Sequence, residues 1–178
     1  MEVWTTGGLT TFYLRFAMRL ATRRVHFAGC KTNPDGPWMT QIARNLTDIV
    51  DGPLRERVKY VLMDRDTKFT DEFREILKPA GIKPVLLPPK SPNCNAHLER
   101  FFRSLKEEAL ERTIFFSERS RRSAAHEFLV RFHTERNHQG LDHKIIEPGA
   151  EVGQKAGELV CRERLGGLLK YNRRQAAA

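Results

Sequence analysis

From Leu9 to Leu20 the chain alternates, with Phe12, Leu14, Phe16, Met18 and Leu20 on one side and Tyr13, Arg15 and Arg19 on the other. A period of two belongs to the β-strand, whose successive side chains leave opposite faces. A strand that is apolar on one face cannot stand alone: it needs neighbouring strands and a layer of structure over its apolar side. Glu2–Thr5 before it and Val25–Gly29 after it are also strand-like, and short breaks at Gly7-Gly8 and Ala21–Arg23 separate the three pieces. Short turns between such strands imply an antiparallel meander.

Beyond the turn signal Asn33-Pro34-Asp35-Gly36 the period changes. Met39, Ile42, Leu46 and Ile49 recur every three or four residues, predicting an amphipathic helix that ends before Gly52-Pro53. Val58–Met63 is short, largely apolar and rich in valine, and fits a buried central strand. Thr70 is a helix N-cap followed by the acids Asp71 and Glu72, Phe73, Ile76 and Leu77 form the buried face, and Gly81 marks the stop. Ile82–Leu87 is another strand, placed at a sheet edge by Pro84. Pro92 keeps the next loop out of helix, with Asn93 or Asn95 as N-cap of a helix running to about Arg112. A last helix spans Glu118 to about Arg136, with Phe128, Leu129 and Phe132 inward. Three strands, helix, strand, helix, strand, helix, helix is the order of a mixed α/β sheet flanked by helices. Residues 153–178, carrying Arg162, Arg164, Lys170, Arg173 and Arg174, are expected as a weakly packed basic tail on a core spanning residues 1–152.

A chain of 178 residues is long enough to bury one core. No run reaches the roughly 18–20 apolar residues of a membrane span, since Arg15 and Arg19 interrupt the longest early one. The start M-E-V-W-T-T lacks the basic and apolar regions of a secretory leader, and a cytoplasmic location is expected. Cys30, Cys94 and Cys161 are odd in number and widely spaced, which argues against a disulfide framework or a zinc site. Lys and Arg total 31 against 22 Asp and Glu, a net charge of +9 that suits a polyanionic partner such as nucleic acid.

Two carboxylates stand out. Asp64 follows the fourth strand, and active sites in α/β sheets gather at the carboxyl ends of parallel strands. Asp66 is either a second ligand or a turn-former, the turn role being favoured. Glu99 opens its helix, where an acid also complements the dipole, and Arg103 and Lys106 follow on the same flank. That series suits a phosphodiester backbone, and it is also an ordinary surface charge pattern. His138 is read either as facing DNA or as a satisfied structural histidine.

V-L-M-D-R-D-T-K-F at Val61–Phe69, S-P-N-C-N-A-H-L-E-R-F-F-R-S-L-K-E-E at Ser91–Glu108, and F-H-T-E-R-N-H-Q-G-L at Phe132–Leu141 with Pro148 beyond resemble, in order, three motifs of retroviral-integrase-like DDE transposase catalytic cores. Met63, Asp66 and Phe69 stand where that family has Ser, Gly and Tyr, and Phe132 and His133 where it has Tyr and Asn. The resemblance implies a ribonuclease-H-like fold with a five-stranded mixed sheet, the antiparallel meander plus two parallel strands. It implies Asp64 and Glu99 as the second and third acids of a D-D-E triad, holding Mg²⁺ with Mn²⁺ as a substitute. It further implies Lys106 on the DNA end and Asn95 on the loop nearest the substrate phosphate, with Ser91 and Pro92 shaping that loop; Arg103, from its place on the flank between Glu99 and Lys106, is expected as a DNA contact beside them. Such a site activates water or a 3′-hydroxyl for in-line attack on a phosphodiester. The implied partners are element ends and target DNA, bound by a homo-oligomer, with the protein associated with the nucleoid.

The family's first Asp sits in the first strand, where this chain has Glu2 as its one acid and no Asp before Asp35. The expectation is an amino-terminally shortened core with impaired strand transfer. The alternative is a catalytically inactive DNA-binding or regulatory fragment of a transposase. A ribonuclease-H-type nuclease would share the acids but not the second and third motifs.

Overall fold

The computed structural model describes residues 2–5, 8–54, 58–115 and 117–175. In chain order the elements are β1 (Glu2–Thr5), β2 (Gly8–Thr11), β3 (Tyr13–Met18), β4 (Val25–Lys31), α1 (Gly36–Thr47), β5 (Tyr60–Met63), α2 (Asp71–Leu77), β6 (Lys83–Leu86), α3 (Ala96–Leu105), α4 (Glu118–Thr134), β7 (Leu159–Arg164) and β8 (Leu169–Arg174). A 3₁₀ turn at Pro92–Asn95 leads into α3, and a π-helical turn at Lys106–Leu110 continues it. The mixed α/β class follows the sequence pattern. Among the described residues the strands pair two by two, β1–β2, β3–β4, β5–β6 and β7–β8, rather than in one five-stranded ladder. The expected long strand from Leu9 to Leu20 also divides, because β2 ends at Thr11 and buried Phe12 stands between it and β3.

The chain folds as two compact units. The first takes in Thr10–Ala17 and His26–Ala96. Its core joins Met39, Ile42, Ala43 and Leu46 of α1 to Met63, Phe73, Leu77 and Ile82. The Asp35 carboxylate caps α1 by accepting the Trp38 N–H, which satisfies one of the amides a helix start leaves bare. Gly29 lets the Trp38 ring lie on β4, since a Cβ there would come within 2.9 Å of the indole. Ile49 departs from the expected helical face. α1 stops at Thr47, the Asp48 carboxylate takes the amides of Val50 and Asp51, and Ile49 is left 88% exposed.

β5 pairs with β6 in parallel, from Tyr60 opposite Lys83 to Met63 opposite Leu86, with Pro84 opposite Val61. β5 is not buried on both faces as its apolar run suggests. Met63 is in the core while Tyr60 and Leu62 are exposed, because only alternate side chains of this strand meet α1 and α2. Thr70 caps α2 by accepting the Phe73 N–H, and Gly81, at φ +72°, ends it as expected.

The second unit takes in Val3–Leu9, Met18–Val25 and His97–Ala178. Phe101 of α3 meets Phe132 and Phe128 of α4 edge to face, at ring-centroid distances of 5.0 and 5.9 Å. A capping box between Ser117 and Ser120 starts α4. At the head of α3 the expectation is corrected. Pro92 opens the 3₁₀ turn, where a missing N–H costs nothing, and that turn runs straight into α3 without Asn93 or Asn95 acting as its cap.

The expected loose tail is instead a hairpin. β7 and β8 pair antiparallel from Leu159 opposite Arg174 to Arg164 opposite Leu169, and the Leu169 side chain is buried. Arg164 bonds Glu135 at 2.7 Å and Glu127 at 2.9 Å, and Arg162 reaches Glu135 at 3.4 Å. Lys170 pairs with Glu163 at 3.0 Å. Much of the tail's positive charge therefore answers carboxylates of this unit.

Candidate active-site segments

Asp64 is the first residue after β5, with its carboxylate at the surface and Oδ1 accepting the Asp66 N–H at 3.1 Å. Asp66 is the turn-former: its Oδ1 accepts the Lys68 N–H at 3.0 Å, and its carbonyl accepts the Phe69 N–H at 3.0 Å. Its other oxygen takes a 2.7 Å bond from Arg15 of β3. Burial alone would raise the Asp66 carboxyl, but the bonds from Arg15 and Lys68 outweigh it and hold it below the usual range. The Arg15 guanidinium also lies over the Phe69 ring, 5.4 Å from its centroid. Arg15, Asp66 and Phe69 thus fix both ends of the loop that presents Asp64.

Asn95 ends the 3₁₀ turn, half-buried. Glu99 lies in the first turn of α3 and Arg103 in the last, both exposed. Lys106 opens the π turn, where the Glu111 N–H bonds the Lys106 carbonyl at 2.9 Å. A turn closed by i→i+5 bonds brings side chains five apart together, and Lys106 Nζ lies 3.2 Å from Glu111 Oε1. Both groups are exposed, so the pair is weak.

The third motif builds scaffold. Glu108, of the second motif, accepts bonds from Arg131 at 2.7 Å and Arg136 at 2.6 Å and ties the π turn to α4. The Val25 N–H donates to His133 Nε2 at 3.0 Å, which requires that nitrogen to be unprotonated. His138 Nε2 lies 2.7 Å from the Phe132 carbonyl, with its ring edge-on to Phe132. Burial, with Arg136 adding to it, lowers the His138 imidazole, although its bond to Phe132 works the other way. His138 is a satisfied structural residue by these contacts. Sequence patterns offered no signal for Arg15 or for the partners of Glu108, since each contact joins distant segments.

Asp64 and Asn95 belong to the first unit, and Glu99, Arg103 and Lys106 to the second. Among the described residues no three His, Cys, Asp or Glu side chains gather as a metal site requires. Asp64 and Glu99 are the two acids that the resemblance assigns to a D-D-E centre, and the Glu2 side chain lies outside the described residues. The described donors therefore do not make a complete metal centre.

Residues 80–145 match the model of the integrase core domain family, over a span that holds Asn95, Glu99, Arg103 and Lys106 and leaves Asp64 outside. The match supports an integrase or transposase catalytic core, and members of that family generally depend on a divalent metal. No curated protein matches the chain. Among the described residues no helix is long and apolar enough to cross a membrane.

Proposed function

We propose that this chain is an integrase or transposase catalytic-core protein acting on DNA, by phosphodiester cleavage and strand transfer, on a ribonuclease-H-like five-stranded sheet. The observation that carries the reading is the integrase core match over residues 80–145, a span that includes Glu99 in the first turn of α3. Asp64 and Glu99 are the proposed catalytic and metal-binding acids, with Mg²⁺ or Mn²⁺ as cofactor and the remaining donor supplied from outside the described residues. Asn95, Arg103 and Lys106 are the proposed DNA contacts. Arg103 of α3 and Lys106 at the start of the π turn follow Glu99 by four and seven residues, a spacing suited to contact with the phosphate backbone. The active form is proposed as a homo-oligomer on element ends and target DNA, associated with the nucleoid, and strand transfer by this chain is proposed to be impaired.

The test is nicking of supercoiled DNA in Mg²⁺ and in Mn²⁺ by the full chain and by Asp64→Asn and Glu99→Gln. Metal-dependent nicking that falls at least about a hundredfold in both variants supports catalysis by these acids, the size expected when a group acting directly on the reacting phosphate is lost. DNA binding that persists in all three proteins without any nicking sinks the catalytic reading and leaves the inactive DNA-binding or regulatory fragment.

A further inference from the structure

Within the second unit, the turn between β3 and β4, the head of α3 and the segment after α4 surround a cavity of about 210 Å³. A single water needs only about 10–15 Å³ of such space. Arg23, His97, Arg100, Arg136, Asn137 and His138 are among its lining residues, and no Asp or Glu lines it among the described residues. Three guanidinium groups around one hollow repel one another, and an arrangement of that kind is relieved by an anion.

The cations differ in how far they are already engaged. Arg136 gives one nitrogen to Glu108, at 2.6 Å, and keeps the rest of its fork. Arg23 donates to the Leu20 carbonyl, a neutral partner. Its backbone is left-handed, at φ +60°, in a turn where glycine would fit without strain. Arg100, exposed in the first turns of α3, points at the same hollow one residue beyond Glu99. Neither Arg100 nor Arg23 belongs to the set of proposed DNA contacts, so the cavity is a second feature of the same surface chemistry.

We propose that this cavity binds a phosphate group, held by Arg23 and Arg100 with Arg136 behind them, and that in the working protein the phosphate belongs to a nucleic-acid strand. The placement on a strand rests on the function proposed above; the affinity for phosphate does not. Planar guanidinium forks match phosphate oxygens in pairs, and the neighbouring Asn137 adds an amide donor.

The experiment follows the Nε–H signals of Arg23, Arg100 and Arg136 by NMR in the full chain, at constant pH and at constant ionic strength set with NaCl, during separate titrations with inorganic phosphate and with a short single-stranded DNA oligonucleotide. Arg23→Gly and Arg100→Gln remove one cation each and assign its signal, and the glycine relieves the left-handed backbone, so a folded protein is expected from that variant. The expected result is saturable movement of the arginine signals with both ligands, with half-saturation raised about tenfold in either variant, as for the loss of one charge-assisted contact. Movement with inorganic phosphate but not with the oligonucleotide supports the phosphate cavity and overturns its assignment to a strand. Arginine signals that stay still in phosphate, or a half-saturation that neither variant changes, overturn the cavity; DNA binding under those conditions would leave the proposed function standing.

Discussion

Asp66 shows how one side chain can settle the geometry of another. Its bond to Arg15 holds the loop that carries Asp64, and both partners are largely shielded from solvent. Asp66→Asn is expected to destabilise the protein by about 1–2 kcal/mol at neutral pH, the scale of one charge-assisted hydrogen bond at a partly buried site. Because the folded Asp66 carboxyl lies below its ordinary value, this contribution is complete above the unfolded aspartate range and disappears as pH falls through the folded value. Urea unfolding at neutral and acidic pH checks it: the gap between wild type and Asp66→Asn should close on acidification, and a constant gap would mean the carboxylate is not the source. The turn role of Asp66, the cap at Thr70 and the stop at Gly81 were legible because each rests on bonds within a few residues. The Arg15 bond spans 51 positions, and no local pattern announces it.

Among elements, the C-terminal hairpin depends most on a few charges. The Glu135 side chain is 2% exposed and accepts from Arg164 and Arg162 of β7. Removing a buried acceptor leaves its arginines desolvated and unpaired, a cost of about 3–5 kcal/mol for a fully buried pair and less where one partner is exposed, as Arg162 is. Glu135→Ala should therefore lower stability by about 2–3 kcal/mol and speed amide exchange in β7 and β8 ahead of α3 and α4. Uniform exchange across the unit would show that the hairpin does not rely on this anchor. The hairpin was hidden in the sequence because Leu159–Arg164 carries three charges in six residues and reads as a solvated tail until Glu127 and Glu135 are brought opposite it. Helices α1, α2 and α4 were legible from their apolar spacing, whereas the reach of α1 to Ile49 was overstated because a side-chain bond at Asp48 ends the helix sooner than periodicity alone implies.

At the scale of the whole molecule, net charge and motif order carry different messages. A charge of +9 is expected to make DNA binding strongly salt-dependent, each phosphate neutralised contributing about 0.9 to the slope of log affinity against log salt. Duplex binding measured between 50 and 200 mM NaCl should give a slope steeper than about −2, and a flat response would remove electrostatics as the source of affinity. The second and third motifs, which lie inside the matched span, were legible because each is contiguous in sequence. Asp64 and Glu99 belong to separate compact units, and a common centre for them, as proposed, would be a matter of tertiary assembly that spacing along the chain does not encode. The π turn at Lys106–Leu110 also bears on how a chain of this kind changes over generations. An i→i+5 turn holds one residue more than an α-turn, so a three-nucleotide deletion within it leaves α3 to end on an ordinary α-turn. Glu108 and its two arginines would then have to find a new register. Length variation at this point is cheap for the helix and expensive for the clamp, and homologous chains aligned here should tolerate a one-residue gap more readily than the loss of that glutamate.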